Sequence, residues 1–103
     1  MRIRWTSVAN RTLERLLTNQ KKIYSRNDLR QLNRDLKETE KLLPDNPLMG
    51  AVEPLAEGLT QEYRHVVLCS PFKLVYFVYE DCIFIADIWD TRQSTEHLVV
   101  RLK

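Results

Sequence analysis

The sequence predicts an α+β fold for residues 1–103, with a helical hairpin packed on a small, mostly antiparallel, twisted sheet in the order β-α-α-β-β-β. Residues 63–69, 73–79 and 82–89 are rich in Val, Ile, Phe and Tyr, which fit a pleated, half-buried surface. Before these strands, leucines recur at helical spacing. A helical hairpin with an apolar stripe and a sheet with an apolar face bury both when they pack together. We therefore expect one domain.

The first half of the chain contains a short strand and two helices. Residues 2–6 alternate polar and apolar side chains, which is typical of a strand, here at an edge of the sheet. Residues 8–24 carry apolar side chains at helical spacing, with Ser7 as the expected N-cap. Ser25 and Asp28 have the spacing of a capping box and predict the start of a second helix. The apolar stripe of that helix consists of Leu29, Leu32, Leu36 and Leu43.

The second half of the chain builds the sheet. Pro44 ends the second helix, because the residue before a proline disfavours the helical region. Residues 45–62 contain both glycines and form a connector. The three strands then follow as a meander, and Glu80 and Asp81 fit a two-residue hairpin loop. The tail, residues 94–103, fits either a short helix or a strand.

Composition narrows the class of protein. No apolar run approaches the roughly 18 residues that a membrane helix needs, and the first residues lack the apolar region of a signal peptide. We therefore expect a cytoplasmic protein that does not bind membranes. Cys69 and Cys82 are expected to be small buried hydrophobic residues in a reducing compartment. Two cysteines and two histidines lack a ligand spacing, so we expect no metal and no cofactor.

The charge is unevenly distributed along the chain. The net charge is +2, but residues 1–43 carry +6 and residues 44–103 carry −4. A basic first half is consistent with a charged partner on one side of the molecule. Solvated lysines and arginines on helix surfaces would give the same count.

Four stretches, in this order, resemble the RelE/ParE superfamily of toxins from bacterial type II toxin–antitoxin pairs. They are NPLMG at 46–50, YR at 63–64, KLVY at 73–76 and IWDTRQ at 88–93. The resemblance covers most of the chain and implies a RelE/ParE-like fold. It also implies a plasmid stabilisation-like toxin that a small cognate antitoxin neutralises. A homodimer or a heterotetramer with the antitoxin would fit such a pair.

The superfamily contains RelE-like members, which cut messenger RNA on the ribosome, and ParE-like members, which inhibit DNA gyrase. For a RelE-like activity, the resemblance assigns Arg64, Lys73 and Arg92 as the catalytic cations that stabilise charge on a phosphate. The late tyrosine that commonly takes part in that chemistry has no counterpart, because position 98 is Leu and no Tyr follows Tyr79. His97 is expected to be merely exposed.

The acidic second half also weighs against RNA cleavage. Asp87, Asp90 and Glu96 lie near Arg92 in sequence and would repel a phosphate backbone. The resemblance therefore favours a ParE-like toxin that binds a target such as DNA gyrase and has no enzymatic activity. The alternatives are a ribosome-dependent mRNA endoribonuclease and a non-toxic protein-binding module of the same fold.

Five residues are candidates for partner binding. Trp89, Asp90 and Arg92 follow or end the last strand, and Arg15 and Lys22 lie on the basic helical hairpin. Tryptophan is enriched in binding hot spots, although a Trp89 packed under the tail would belong to the core. Arg92 could instead form an ion pair with a neighbouring aspartate. A disordered or helical antitoxin segment would occupy the groove between helices and sheet.

Overall fold

The computed structural model describes residues 1–19 and 21–103, which form three α-helices and a five-stranded sheet. The strands are β1 Arg2–Trp5, β2 Ala51–Val52, β3 Arg64–Val67, β4 Phe72–Tyr79 and β5 Cys82–Asp90. The helices are α1 Ser7–Thr18, α2 Arg26–Leu42 and α3 Thr95–Val100. The sheet order is β1-β5-β4-β3-β2, with β1 parallel to β5 and the other neighbouring pairs antiparallel. The predicted α+β class, the edge position of the first strand and the meander are confirmed.

The helical hairpin buries one face of the sheet. Leu32, Leu36 and Leu43 are fully buried against the sheet, and Leu29 is partly buried beside them, as the predicted stripe requires. Sheet residues that complete this cluster include Phe72, Leu74, Tyr76, Ile83, Ile85 and Ile88. The α2 capping box is also confirmed, since the side chains of Ser25 and Asp28 each accept a hydrogen bond from the other residue's backbone amide.

The predicted boundaries of α1 were wrong at both ends. Thr6, not Ser7, is the N-cap, and its hydroxyl accepts a hydrogen bond from the Ala9 amide. The helix ends at Thr18, well before position 24, because Asn19 adopts a left-handed conformation with φ 40°. The Asn19 side chain accepts a hydrogen bond from the amide of Ile23, a local alternative to helical bonding that asparagine supports well.

The connector contains a strand that the sequence did not reveal. β2 pairs with β3 through Ala51 and Val52, and this places a fifth strand at the edge opposite β1. Gly50 precedes it and is buried so tightly that an added Cβ would lie 2.7 Å from the carbonyl oxygen of His65. A two-residue strand is too short to produce an alternation pattern, which explains why the prediction missed it.

The second face of the sheet is also covered. The tail forms α3, and Leu98 packs with Ala56, Val75, Ala86 and Trp89 into a second apolar cluster. The predicted sheet had one apolar face, whereas the observed sheet buries both. β5 explains this, because most of its side chains are buried and do not alternate with exposed ones.

The β4–β5 hairpin has the predicted two-residue loop. Tyr79 pairs with Cys82, and Glu80 and Asp81 have φ values of 47° and 59°. Cys82 and Cys69 are free thiols that are half-buried, less than predicted. Burial and the nearby acidic side chains raise the pKa of Cys69. None of the helices in residues 1–19 and 21–103 is long and apolar enough to cross a membrane.

Candidate functional site

The cations predicted for RNA chemistry lie on different surfaces. Arg64 is in register with Tyr76, which belongs to the apolar cluster under the helices. Lys73 is in register with Trp89, which belongs to the cluster on the other face. Directly paired residues share a face of the sheet, so Arg64 and Lys73 project from opposite sides. The structure does not bring these two side chains together.

Arg64 is engaged with the connector. Its Nη1 donates to the carbonyl oxygen of Gly50 at 2.8 Å, and its Nη2 donates to Glu62 Oε1 at 3.0 Å. Its side chain is 19% exposed. The guanidinium therefore fixes the chain before β2 to β3 and is partly neutralised by a surface carboxylate.

Lys73 belongs to a buried charged cluster that the sequence analysis missed. The side chain of Glu53 is fully buried and forms an ion pair with the Lys73 ammonium. His65 Nδ1 lies 3.2 Å from Glu53 Oε1, but the contact lacks hydrogen-bond geometry. Leu55 N donates to Glu53 Oε2 at 2.9 Å, and the ammonium lies 5.1 Å from the centre of the Trp89 ring. Nothing in the sequence around Glu53 distinguishes it from a surface carboxylate.

Arg92 follows the end of β5, where it forms an ion pair with Asp90. Its Nε donates to Asp90 Oδ1 at 3.1 Å and its Nη2 to Oδ2 at 2.9 Å, which makes the pair bidentate. Its guanidinium carbon is 5.6 Å from the centre of the Tyr24 ring, which packs on Phe72 under the helices. The ion-pair alternative for Arg92 is therefore the observed arrangement, although the Arg92 side chain is 60% exposed.

The Tyr24 hydroxyl completes this cluster by donating to Asp90 Oδ2 at 2.5 Å. Burial favours the neutral carboxyl of Asp90, but the hydrogen bonds from Arg92 and Tyr24 outweigh burial and hold the pKa of Asp90 below its ordinary value. Burial and the hydrogen bond to the carboxylate raise the pKa of Tyr24 to about 12. Asp90 is therefore ionised and neutralised in place at neutral pH.

Trp89 is a core residue in the described structure. It is fully buried, and its indole Nε1 donates to Asp87 Oδ2 at 3.1 Å. Arg101 Nε donates to the same oxygen at 2.7 Å. The predicted acidic cluster around Arg92 is thus divided, because Asp87 pairs with Arg101 while Asp90 pairs with Arg92. Trp89 could therefore affect partner binding only indirectly, by positioning the residues that cover it.

An open cleft of about 810 Å³ lies between the end of α1 and α3. Arg15 and Asp90, two of the predicted partner-binding residues, line it. Lys22 is exposed outside the cleft, whereas its neighbour Lys21 lines it. His97 also lines the cleft and is exposed, as expected. This cleft is the candidate functional site. The buried Glu53–Lys73 pair is a second charged centre, on the sheet face that carries Trp89.

The chain matches none of the protein-family models and none of the curated proteins with which it was compared. Among solved structures, it is similar to a chain of the chromosomal ParDE TA system from P. aeruginosa. The two chains share 22% sequence identity, and the superposition has a TM-score of 0.62 over 85% of this chain and 92% of that chain. Strand order, helical hairpin and structural similarity agree with the fold that the sequence motifs suggested. This chain has the RelE/ParE-like fold.

Proposed function

We propose that this chain is the toxin of a type II toxin–antitoxin pair, acts in the cytoplasm and is neutralised by a small cognate antitoxin. Two observations support the proposal: the fold similarity to a chain of a ParDE TA system over 85% of the sequence, and the four stretches that resemble the superfamily. Because one fold can carry unrelated functions, the motifs are needed beside the structural similarity. The structural similarity and the sequence motifs point to the same class of protein.

The proposed mode of action is binding of a target such as DNA gyrase, rather than cleavage of RNA. The observation that carries this choice is that the candidate catalytic cations are not free around one point. Arg64 and Lys73 lie on opposite faces of the sheet, and Arg92 is held in a bidentate pair with Asp90. Stabilisation of a transferring phosphate requires cations preorganised around one point. A binding toxin has no such requirement.

A supercoiling assay tests this mode. Purified protein titrated into DNA gyrase with relaxed plasmid should inhibit supercoiling in a dose-dependent way. Relaxation of the same plasmid by a type I topoisomerase, with the same amount of protein, is the matched control for non-specific DNA binding. Full gyrase activity at a large molar excess of the protein would refute the gyrase version of the proposal.

A ribosome-dependent endoribonuclease is the second candidate, and one observation favours it. His65, Glu53 and Lys73 place an imidazole beside a carboxylate and a cation, on the sheet face that carries Trp89. Imidazole and carboxylate are common proton-transfer groups. If the chain cleaves messenger RNA on ribosomes, Arg92→Ala and His65→Ala should each lower cleavage strongly. Cleavage by both variants at the wild-type rate would exclude these residues from the chemistry.

A non-toxic binding module of the same fold is the third candidate. Induced expression without any partner separates it from both toxins. Growth arrest supports a toxin, whereas normal growth at high levels of folded protein supports the module.

A further inference from the structure

Half of the outer edge of β5 has no strand beside it. β1 pairs with the first four residues of β5, from Cys82 to Ile85, whereas β5 continues to Asp90. Along the rest of this edge, no strand within residues 1–19 and 21–103 pairs with β5 on the side of β1. The cleft between α1 and α3 lies there, because Ile88 and Asp90 are among its lining residues.

Three backbone groups of this edge are already hydrogen-bonded within the fold. The Ile88 amide donates to Asp87 Oδ1 at 2.9 Å, and the Ile88 carbonyl accepts from Arg101 Nη2 at 3.5 Å. The carbonyl of Asp90 accepts from the Gln93 amide at 3.0 Å. A strand can add only to an edge that offers free donors and acceptors. An occupant of the cleft would therefore bind through its side chains.

The cleft is lined by both apolar and cationic side chains. Arg101 and Asp90 are neutralised by partners within the fold, namely Asp87 and Arg92. The apolar lining consists of Leu16, Ile23, Ile88 and Val100, of which Ile23 and Val100 are each 61% exposed. Such exposed apolar side chains are what a partner surface would cover.

Two cations in the cleft are not neutralised. Arg15 donates only to Thr12 Oγ1 of its own helix, at 3.4 Å, and neither Arg15 nor Lys21 forms an ion pair with any of the described residues. The remaining formal charge of the cleft is therefore positive. A ligand that presents carboxylates beside apolar groups would complement it.

The lining is poorly suited to a nucleic acid. Single-stranded nucleic acids are held largely by bases that stack on aromatic rings. Tyr24 is the aromatic residue of the cleft, and its ring already packs against Phe72, with centroids 5.1 Å apart, and under the guanidinium of Arg92. The packed ring of Tyr24 and the apolar lining therefore favour a polypeptide over RNA.

We propose that the cleft between α1 and α3 binds an acidic amphipathic segment of a partner protein, with apolar side chains on Ile23 and Val100 and carboxylates facing Arg15 and Lys21. The identification of that partner as the antitoxin rests on the proposed function, whereas the chemistry of the segment rests on the cleft alone. This location differs from the groove between the helical hairpin and the sheet that the sequence suggested.

Fluorescence anisotropy with a synthetic probe tests the proposal. The probe is a labelled amphipathic helical peptide built from Leu and Glu, and its counterpart carries Lys in place of Glu. The full chain should bind the Glu peptide at least about tenfold more tightly than the Lys peptide, and added salt should weaken the binding. Arg15→Glu combined with Lys21→Glu should reduce the affinity for the Glu peptide about tenfold.

A matched control lies on α2. Arg34 and Lys37 are both exposed and outside the cleft, so Arg34→Glu combined with Lys37→Glu makes the same charge change elsewhere. We expect this control to change the affinity by less than about twofold. Circular dichroism and thermal melting establish that both double variants are folded before their affinities are compared.

Several outcomes would overturn the proposal. They are no binding of the Glu peptide by the wild type, equal binding of the two peptides, or equal losses in the two double variants. Tighter binding of a single-stranded RNA oligonucleotide, lost in the Arg15→Glu and Lys21→Glu variant, would assign the cleft to nucleic acid instead. Growth arrest is measured separately, so absence of toxicity with intact peptide binding would refute only the proposed function.

Discussion

Replacing Tyr76 with Phe removes a hydroxyl that joins the connector to the centre of the sheet. Tyr76 is fully buried on β4. Its hydroxyl donates to the carbonyl oxygen of Pro47 and accepts from the Gly50 amide, each at 2.9 Å. The substitution keeps the ring and creates almost no cavity. The change in the free energy of unfolding therefore reports the two hydrogen bonds.

The size of this change depends on whether the two former partners of the hydroxyl can form other hydrogen bonds. Each hydrogen bond contributes about 1 kcal/mol net, and a buried donor left without a partner costs about 1–3 kcal/mol. The Gly50 amide is buried and would lose its partner, whereas the half-buried Pro47 carbonyl can reach water more easily. We therefore expect Tyr76→Phe to lower the free energy of unfolding by about 2–4 kcal/mol.

Urea unfolding measures this loss as a lower midpoint with an unchanged dependence on urea concentration. Tyr79→Phe is the matched control, because Tyr79 is 52% exposed on the same strand. The control should stay within about 0.5 kcal/mol of the wild type. If Tyr76→Phe also stays within that range, the hydroxyl does not hold the connector and the reasoning is wrong.

Three further predictions test the charged centre, the hairpin and the tyrosine cluster. Lys73→Met leaves the buried Glu53 carboxylate without its cation and should lower the free energy of unfolding by about 3–5 kcal/mol. Adding Glu53→Gln to this variant should restore most of the loss. Additive losses in a double-mutant cycle measured by urea unfolding would contradict this explanation. Glu80→Asn with Asp81→Gly should raise the thermal midpoint, because these residues tolerate the positive φ of the loop better; a lower midpoint would count against that explanation. Difference absorbance titration of wild type against Tyr24→Phe should show one tyrosine with a pKa of about 12. The folded value is the raised one, so the contribution to stability is complete below about pH 10, the ordinary tyrosine pKa, and disappears as the pH rises towards 12. A Tyr24 that ionises at the ordinary value would refute this.

Most of the local structure could be predicted from the sequence. The capping box of Ser25 and Asp28 depends on side chains and amides three positions apart, and the leucine stripe of α2 depends on helical periodicity. The meander followed from β-branched and aromatic runs, and its strands lie within two residues of the predicted bounds. Such features form from neighbours in the chain, so their physical causes are visible in sequence. The end of α1 at Asn19 was an exception, because a single left-handed residue outweighed the apolar periodicity.

The candidate site could be predicted only as a set of residue types. The sequence identified Arg64, Lys73 and Arg92 as cations of interest, but their faces depend on strand register. The β3–β4 pairing sets Arg64 opposite Tyr76, which is three residues from Lys73, and a shift of one position in this pairing would move Arg64 to the other face. The three predicted cations were therefore chemically sensible candidates, but Arg64 and Lys73 lie on opposite faces of the sheet.

Tertiary contacts decided which charges are neutralised and where a partner could bind. Glu53 meets Lys73 across 20 positions, and Tyr24 meets Asp90 across 66. The cover that α3 provides over Trp89 and the cleft beside β5 arise in the same way, from elements far apart along the chain. Propensity and periodicity carry no information about such distant pairs, because long-range contacts form only when the elements pack. The residues thus specified a helical hairpin and a meander, and packing converted them into a fold with an open, cationic cleft beside β5.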